Sequence, residues 1–166
     1  ADLEELIRTN GQEWRARSIA RAIVRSRPVE TTTELATIVA RASGPRKRLD
    51  PATKTFQALR MTVNTEMENI QTGLEQAVRA VAPEGRVVVL SYHSLEHALV
   101  KSYFRQEATD CVCPPQTPQC ICDHKASVRL VNRRAGKPTR EEIDANPRSR
   151  SAQLRAVERL AMVARE

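Results

Sequence analysis

Pro83-Glu84-Gly85-Arg86-Val87-Val88-Val89-Leu90-Ser91-Tyr92-His93-Ser94-Leu95-Glu96 is the stretch on which the fold turns. Pro83-Glu84-Gly85 reads as a turn and Arg86 to Tyr92 as a strand. The strand centre, Val87 to Leu90, is continuously apolar rather than alternating, the pattern of a strand buried on both faces in a parallel sheet covered by helices. Ser94 is expected to cap a helix carrying Leu95, Leu99, Val100, Tyr103 and Phe104. Helix, tight turn, buried strand, helix is the rhythm of an open α/β sheet. Ligands of such sheets bind beyond the carboxyl ends of the strands. Ser91, His93 and Ser94, with Glu96 just inside the helix, therefore stand where a substrate is expected. Two readings are open: substrate contact or proton handling, or Ser94 capping the helix while His93 fills the turn. A serine nucleophile has little support, because the elbow signature G-x-S-x-G is absent.

Upstream, Asp50-Pro51 reads as an N-cap followed by Pro at the first helical position. From there Phe56, Leu59, Val63, Met67, Ile70, Leu74, Ala77, Val78 and Val81 keep a 3–4 alternation. This is one long helix or two, with the break expected near Asn64-Thr65, both weak helix formers. The first 45 or so residues read as helices. Ala16, Ile19, Ala20, Ile23 and Val24 form one apolar stripe, while Arg17, Arg21 and Arg25 recur every four residues on another face. Like charges at that spacing repel. An RNA partner is one reason for the row; arginines solvated and flanked by Glu13 and Glu30 are the plainer one. Thr31 to Glu34 matches a capping box ahead of a further helix, which Gly44-Pro45 ends. The basic loop Arg46-Lys47-Arg48 is the expected boundary, dividing residues 1–50 from 51–166.

Downstream, Ser127 to Val131 and Gln153 to Leu160 read as shorter strands, the second equally as a helix. Three strands do not close a sheet of this kind, so the chain reads as part of something larger. Cys111-Val112-Cys113 and Cys120-Ile121-Cys122 are two C-x-C pairs, and four thiolates so close in sequence suit a tetrahedral structural zinc site. C-x-C is tighter than the usual spacing, so reduced or redox-labile thiols remain the alternative; His124 is a spare ligand nearby. Asn146-Pro147-Arg148-Ser149-Arg150-Ser151 reads as an extended segment, which would project Arg148 and Arg150 together toward a phosphate. A solvated loop is the alternative.

The 166 residues carry 27 Lys and Arg against 20 Asp and Glu, a net charge of +7. Residues 111–166 hold 11 basic and 6 acidic groups, so the excess is concentrated there and suits a polyanionic partner. Only five residues are aromatic, too few for the stacking platforms of many single-strand binders. None of the glycines falls in a G-x-G or P-loop pattern, so no nucleotide-cradling loop is visible. No apolar run approaches the ~20 residues of a membrane span, and no secretory signal is seen. A cytoplasmic protein without membrane association is the expectation. The chain starts at Ala1, and a fragment is expected.

Thr53-Lys54-Thr55-Phe56-Gln57-Ala58-Leu59-Arg60, Pro83 to Glu96, Cys111 to Cys122 and Asn146 to Arg155 together resemble, in order, four blocks of the ribosomal RNA small subunit methyltransferase H family. Gly11-Gln12-Glu13 and Ser18 to Ile23 resemble a fifth. The resemblance implies the C-terminal half of a Rossmann-like methyltransferase dependent on S-adenosylmethionine. Residues 1–50 would belong to an inserted all-helical domain and 51–166 to the later half of the catalytic domain. The implied reaction methylates N4 of a cytidine in 16S ribosomal RNA, the exocyclic amine attacking the methyl sulfonium in line while the enzyme supplies mainly positioning. The family's cofactor loop has no match here. No cofactor-binding or catalytic residue is therefore assigned, and the chain alone is expected to be inactive. Ser91, His93, Ser94, Asn146, Arg148 and Arg150 are the expected RNA-side residues; Cys111, Cys113, Cys120 and Cys122 are the metal candidates. The family's acid after Glu96 is His97 here. An incomplete sheet leaves an apolar edge, so self-association as a homodimer is also expected. The rival function is a non-enzymatic basic RNA-binding module with a structural zinc loop.

Overall fold

The computed structural model describes residues 2–44, 50–117 and 119–161. The chain divides into two compact units, Ala1–Glu66 and Met67–Glu166. The expected boundary at Arg46 to Arg48 lies outside the described residues.

The first unit is helical: α1 (Asp2–Thr9), α2 (Ala16–Arg25), α3 (Thr32–Ser43) and α4 (Thr53–Val63). Ile7, Ile19, Ile23 and Val39 are its buried centre, with Leu6, Leu35 and Phe56 packed against them. The α2 stripe is as expected except at Val24, which is 53% exposed, one residue round from the inward face. Thr31 caps α3, accepting from Glu34 N at 3.1 Å. Glu34 Oε2 receives Glu30 N rather than Thr31 N, so the cap is only half of the expected box. Gly44, at φ +69, ends α3 where a side chain would be strained. Asp50 does not cap α4 directly: its carboxylate accepts from Ala52 N at 2.8 Å, forming a turn that starts the helix at Thr53. Gly11 lets α1 approach the start of α4; a Cβ there would lie 2.6 Å from Ile7 O and 2.7 Å from Lys54 O.

The long apolar series is two helices. α4 stops at Val63, Thr65 adopts φ +47, and α5 runs Glu66–Ala80. In the second unit α5 is followed by β1 (Arg86–Ser91), α6 (Ser94–Glu107), β2 (Val128–Leu130), α7 (Arg140–Ala145), a 3-10 turn (Pro147–Ser151) and β3 (Gln153–Arg159). Gln153 to Arg159 is thus strand, not helix.

The sheet corrects the expectation of parallel strands. Among the described residues its order is β1-β3-β2, and both pairings are antiparallel. Leu74, Val78, Val100, Phe104, Val128 and Val157 form the core under one face. Val87 and Val89 point into it, while Val88 and Leu90 remain 57% and 50% exposed. Among the described residues only one face of β1 is covered, by α5 and α6, so the other half of the apolar run stays exposed. Leu154, opposite Leu90, is also exposed, so an apolar patch lies on the uncovered face. No helix of the described residues is long and apolar enough to cross a membrane.

Candidate functional site

Antiparallel pairing brings the two candidate segments together. Ser91, the last residue of β1, lies opposite Gln153, the first of β3. The turn Tyr92–Ser94 leaves the sheet at the end where Pro147–Ser151 enters it. Residues more than fifty positions apart in sequence therefore meet at one end of the sheet, the carboxyl end of β1.

His93, not Ser94, is the N-cap of α6. Its backbone is extended, its Nδ1 accepts from Glu96 N at 3.3 Å, and the Glu96 carboxylate accepts from Tyr92 N and His93 N at 2.9 and 3.2 Å. This is a capping box with imidazole in the usual hydroxyl position. His93 Nε2 lies 3.2 Å from Glu96 Oε1. Ser94 is the exposed first residue of the helix, on the outer side of this turn.

Ser91 is buried, and its hydroxyl donates to the Gln153 carbonyl at 3.2 Å. Behind it lie two residues whose role the sequence did not reveal. Arg155, only 6% exposed on β3, donates Nε–H to His97 Nε2 at 3.4 Å. The proton of His97 then sits on Nδ1, which faces Ser91 Oγ at 3.4 Å. Burial, then the Arg155 and Lys101 charges, hold His97 below the usual imidazole range. The one signal available beforehand was an arginine flanked by Leu154 and Ala156 inside a strand pattern. A buried arginine against a neutral imidazole fixes the floor of this sheet end.

The Asn146–Ser151 segment is not extended. Asn146 accepts from Arg148 N at 3.2 Å and opens a 3-10 turn, in which Ser149 is buried with its hydroxyl 3.5 Å from the Glu142 carbonyl. Asn-Pro favours turn initiation as well as extension, and here the turn wins. At three residues per turn Arg148 and Arg150 do not project in parallel, yet both are exposed. Arg133 and Arg134 are exposed on the preceding loop, which is tied to β3 by Asn132 Nδ2 donating to Leu154 O at 3.0 Å. The end of the sheet is thus edged with guanidinium groups suited to phosphates. Glu158, at the other end, accepts from Arg129 on β2 at 2.7 Å and from Arg86 on β1 at 3.3 Å, which joins all three strands. The Arg129 hydrogen bond, more than Arg86, holds its carboxyl below the usual range.

A cavity of about 460 Å³ lies between α5, α6 and the residues after β3, lined by Glu75, Arg79, Tyr103, Glu107 and Arg159 among others. Because Glu158 pairs with Arg86, the first residue of β1, this cavity is at the opposite end of the sheet from His93.

In the first unit, Trp14, Arg15, Arg17, Ser18, Arg21 and Arg25 line a groove of about 400 Å³. Trp14 is 76% exposed, and the Arg15 guanidinium lies 4.5 Å from its ring centre. Glu13 does not flank the arginine row as expected: it is buried and accepts from Arg15 N at 3.0 Å. Arg17, Arg21 and Arg25 make no ion pair with a described residue.

The cysteines do come together. Cys113 and Cys120 Sγ are 4.0 Å apart, Cys120 and Cys122 3.6 Å, and Cys122 and Cys111 3.8 Å. Backbone N–H donation from Val112, then from His124, lowers the Cys122 thiol to about 6. The His124 ring is turned away from the cluster, its Nε2 2.9 Å from the Gln106 carbonyl.

Comparison with known proteins takes in nearly the whole sequence. Residues 1–160 match the model of the MraW methylase family. A protein of Thermomicrobium roseum named ribosomal RNA small subunit methyltransferase H is 54% identical over 164 residues, covering 96% of this chain and 50% of its own length. One of the same name from Dehalococcoides mccartyi is 52% identical over 161 residues, covering 96% and 46%. A third, from Trichlorobacter lovleyi, is 45% identical over 166 residues, covering 96% and 53%. The chain spans about half the length of the curated relatives it matches.

Proposed function

Because the chain belongs to the MraW methylase family, we propose that it is the C-terminal portion of a methyltransferase acting on N4 of a cytidine in 16S ribosomal RNA. The observation that carries this reading is the match over residues 1–160, which takes in both units and both segments at the sheet end. The relatives' names supply ribosomal RNA as the substrate class; the basic margin at Arg133, Arg134, Arg148 and Arg150 is the surface that would meet it. Residues 1–50 serve as part of an inserted helical domain. There Trp14 offers a single stacking face beside three arginines that make no ion pair with a described residue, a surface that would suit RNA.

The methyl donor of this reading is S-adenosylmethionine, and the described residues do not fit it. No glycine-rich turn follows β1: the turn there is closed by the His93–Glu96 box. Gly85 precedes the strand, packed on Val81 and Ala82, and Gly136 bridges Leu154. No transfer step is assigned to these residues. Their part is to position RNA. The uncovered Val88–Leu90 face is where the remaining half of a Rossmann-like domain packs, in keeping with the half-length match to the relatives.

The test is methyl transfer to 16S RNA in small subunits lacking the modification, read by nucleoside mass spectrometry. The chain extended to the length of its relatives produces N4-methylcytidine, and the 166-residue chain alone produces none. Methylation of another nucleoside overturns the site assignment. RNA binding without methylation by the extended protein favours the binding-module reading.

A further inference from the structure

We propose that Cys111, Cys113, Cys120 and Cys122 form a structural zinc site. The sulfurs are spaced for it. Four ligands at the ~2.3 Å of a Zn–S bond stand at tetrahedron corners ~3.8 Å apart. The separations here are 3.6, 3.8 and 4.0 Å, and all four sulfurs lie within 4.8 Å of one another. A disulfide closes to ~2 Å, and all four thiols are free. A hole of the right size therefore exists at the centre of the cluster.

The backbone is arranged for negative sulfur. The residue between each pair donates its N–H to a sulfur of the opposite pair: Val112 N to Cys122 Sγ and Ile121 N to Cys113 Sγ, both at 3.4 Å. This reciprocal pattern answers the doubt raised by the short C-x-C spacing, because the middle residue supports the far pair instead of separating its own. Such donors offset the charge of metal-bound thiolates. His124 is held by the Gln106 carbonyl, which leaves the four cysteines as the ligand set. With all four positions filled by sulfur, no position is open for water or substrate, so the metal's role is structural.

The loop also needs a staple. From Ala108 to Ser127 the described residues form no helix or strand, and the side chains between the cysteines point outward, Ile121 at 81% and Val112 at 43% exposure. Among the described residues, neither buried core takes in a residue between Thr109 and Ser127. Its base is anchored by Ser127 N donating to Glu107 O at 2.8 Å and Ala126 N to Asp110 Oδ1 at 3.2 Å. The metal closes the tip, each thiol releasing its proton to solvent as its sulfur lone pair binds Zn²⁺.

The experiment uses the 166-residue chain purified under reducing conditions, supplied with zinc and freed of excess. The expected result is one zinc per chain by elemental analysis, four thiols protected from a thiol reagent, and all four released by a chelator. Cobalt in place of zinc gives the intense visible spectrum of a tetrahedral thiolate site. Cys113→Ser lowers zinc content and shifts that spectrum, whereas His124→Ala changes neither. Four reactive thiols with no bound metal, two disulfides, or iron in place of zinc would each overturn the proposal. None of these readouts depends on methyl transfer, so the proposal fails or stands apart from the functional reading.

Discussion

At position 93, serine stabilises the fold by about 1 kcal/mol relative to alanine. Both substitutions lose the same imidazole contacts, so their difference isolates the cap on α6. In the structure His93 Nδ1 satisfies one backbone donor, Glu96 N, at 3.3 Å, a long bond. His93→Ser restores an oxygen acceptor at the N-cap, where serine is among the preferred residues, whereas His93→Ala leaves Glu96 N to solvent. Alanine at an N-cap costs ~0.5–2 kcal/mol, and the middle of that range applies to one bond. Glu96→Ala is more severe, because its carboxylate receives two N–H groups at 2.9 and 3.2 Å and also faces the positive end of the helix. About 2 kcal/mol is expected there. Urea unfolding followed by far-ultraviolet circular dichroism measures all three variants, and RNA affinity is measured alongside. Equal midpoints for His93→Ser and His93→Ala, or Glu96→Ala no worse than His93→Ala, would refute the capping account. Loss of RNA affinity in His93→Ser with stability retained would show the imidazole itself touching RNA.

Glycine positions give opposite signs. Gly73→Ala, with nothing within 4 Å of the added Cβ in helix α5, stabilises by ~0.5–1 kcal/mol, while Gly11→Ala destabilises by more than that through contact with two backbone carbonyls; thermal unfolding of both variants checks the pair. His97 has a lowered value in the folded state, so the folded protein binds fewer protons than the unfolded chain just below pH 6.5. Stability is complete above that pH and declines as pH falls through 6.5 toward the folded value, and His97→Gln flattens the slope in urea titrations across that range. Arg17→Glu combined with Arg21→Glu weakens binding to a single-stranded RNA and reduces the slope of log affinity against log salt by about 1.4, at ~0.7 per phosphate contact; an unchanged slope in fluorescence anisotropy would remove this face from the RNA path.

Local signals in the sequence were reliable where one residue type had one task. The α2 stripe, the Thr31 cap, the break at Asn64-Thr65, and the helix and strand on either side of the cysteine loop all follow from periodicity and capping chemistry. Sheet direction was not legible, because a run such as Val87 to Leu90 looks the same whether its second face is covered by helices or left uncovered within this chain. The candidate residues were legible as to position and less so as to surroundings. Ser91 and His93 stand at the end of β1 as expected, whereas Asn146 opens a 3-10 turn in place of an extended segment, and each is engaged by its own backbone surroundings, a distinction that depends on where one N–H points. The pairing of Arg155 with His97 was not legible because it spans 58 positions. The cysteine cluster was read from composition, and the cross-donation between its two halves needed coordinates.

The measurement closest to the central claim is calorimetric titration of S-adenosylmethionine into the 166-residue chain and into the same chain extended to the length of its relatives. Saturable binding by the extended protein, and none by the chain alone, is the predicted result. Tight binding by the 166 residues alone would contradict the account, since it would place a cofactor site where the turn after β1 is closed by His93 and Glu96.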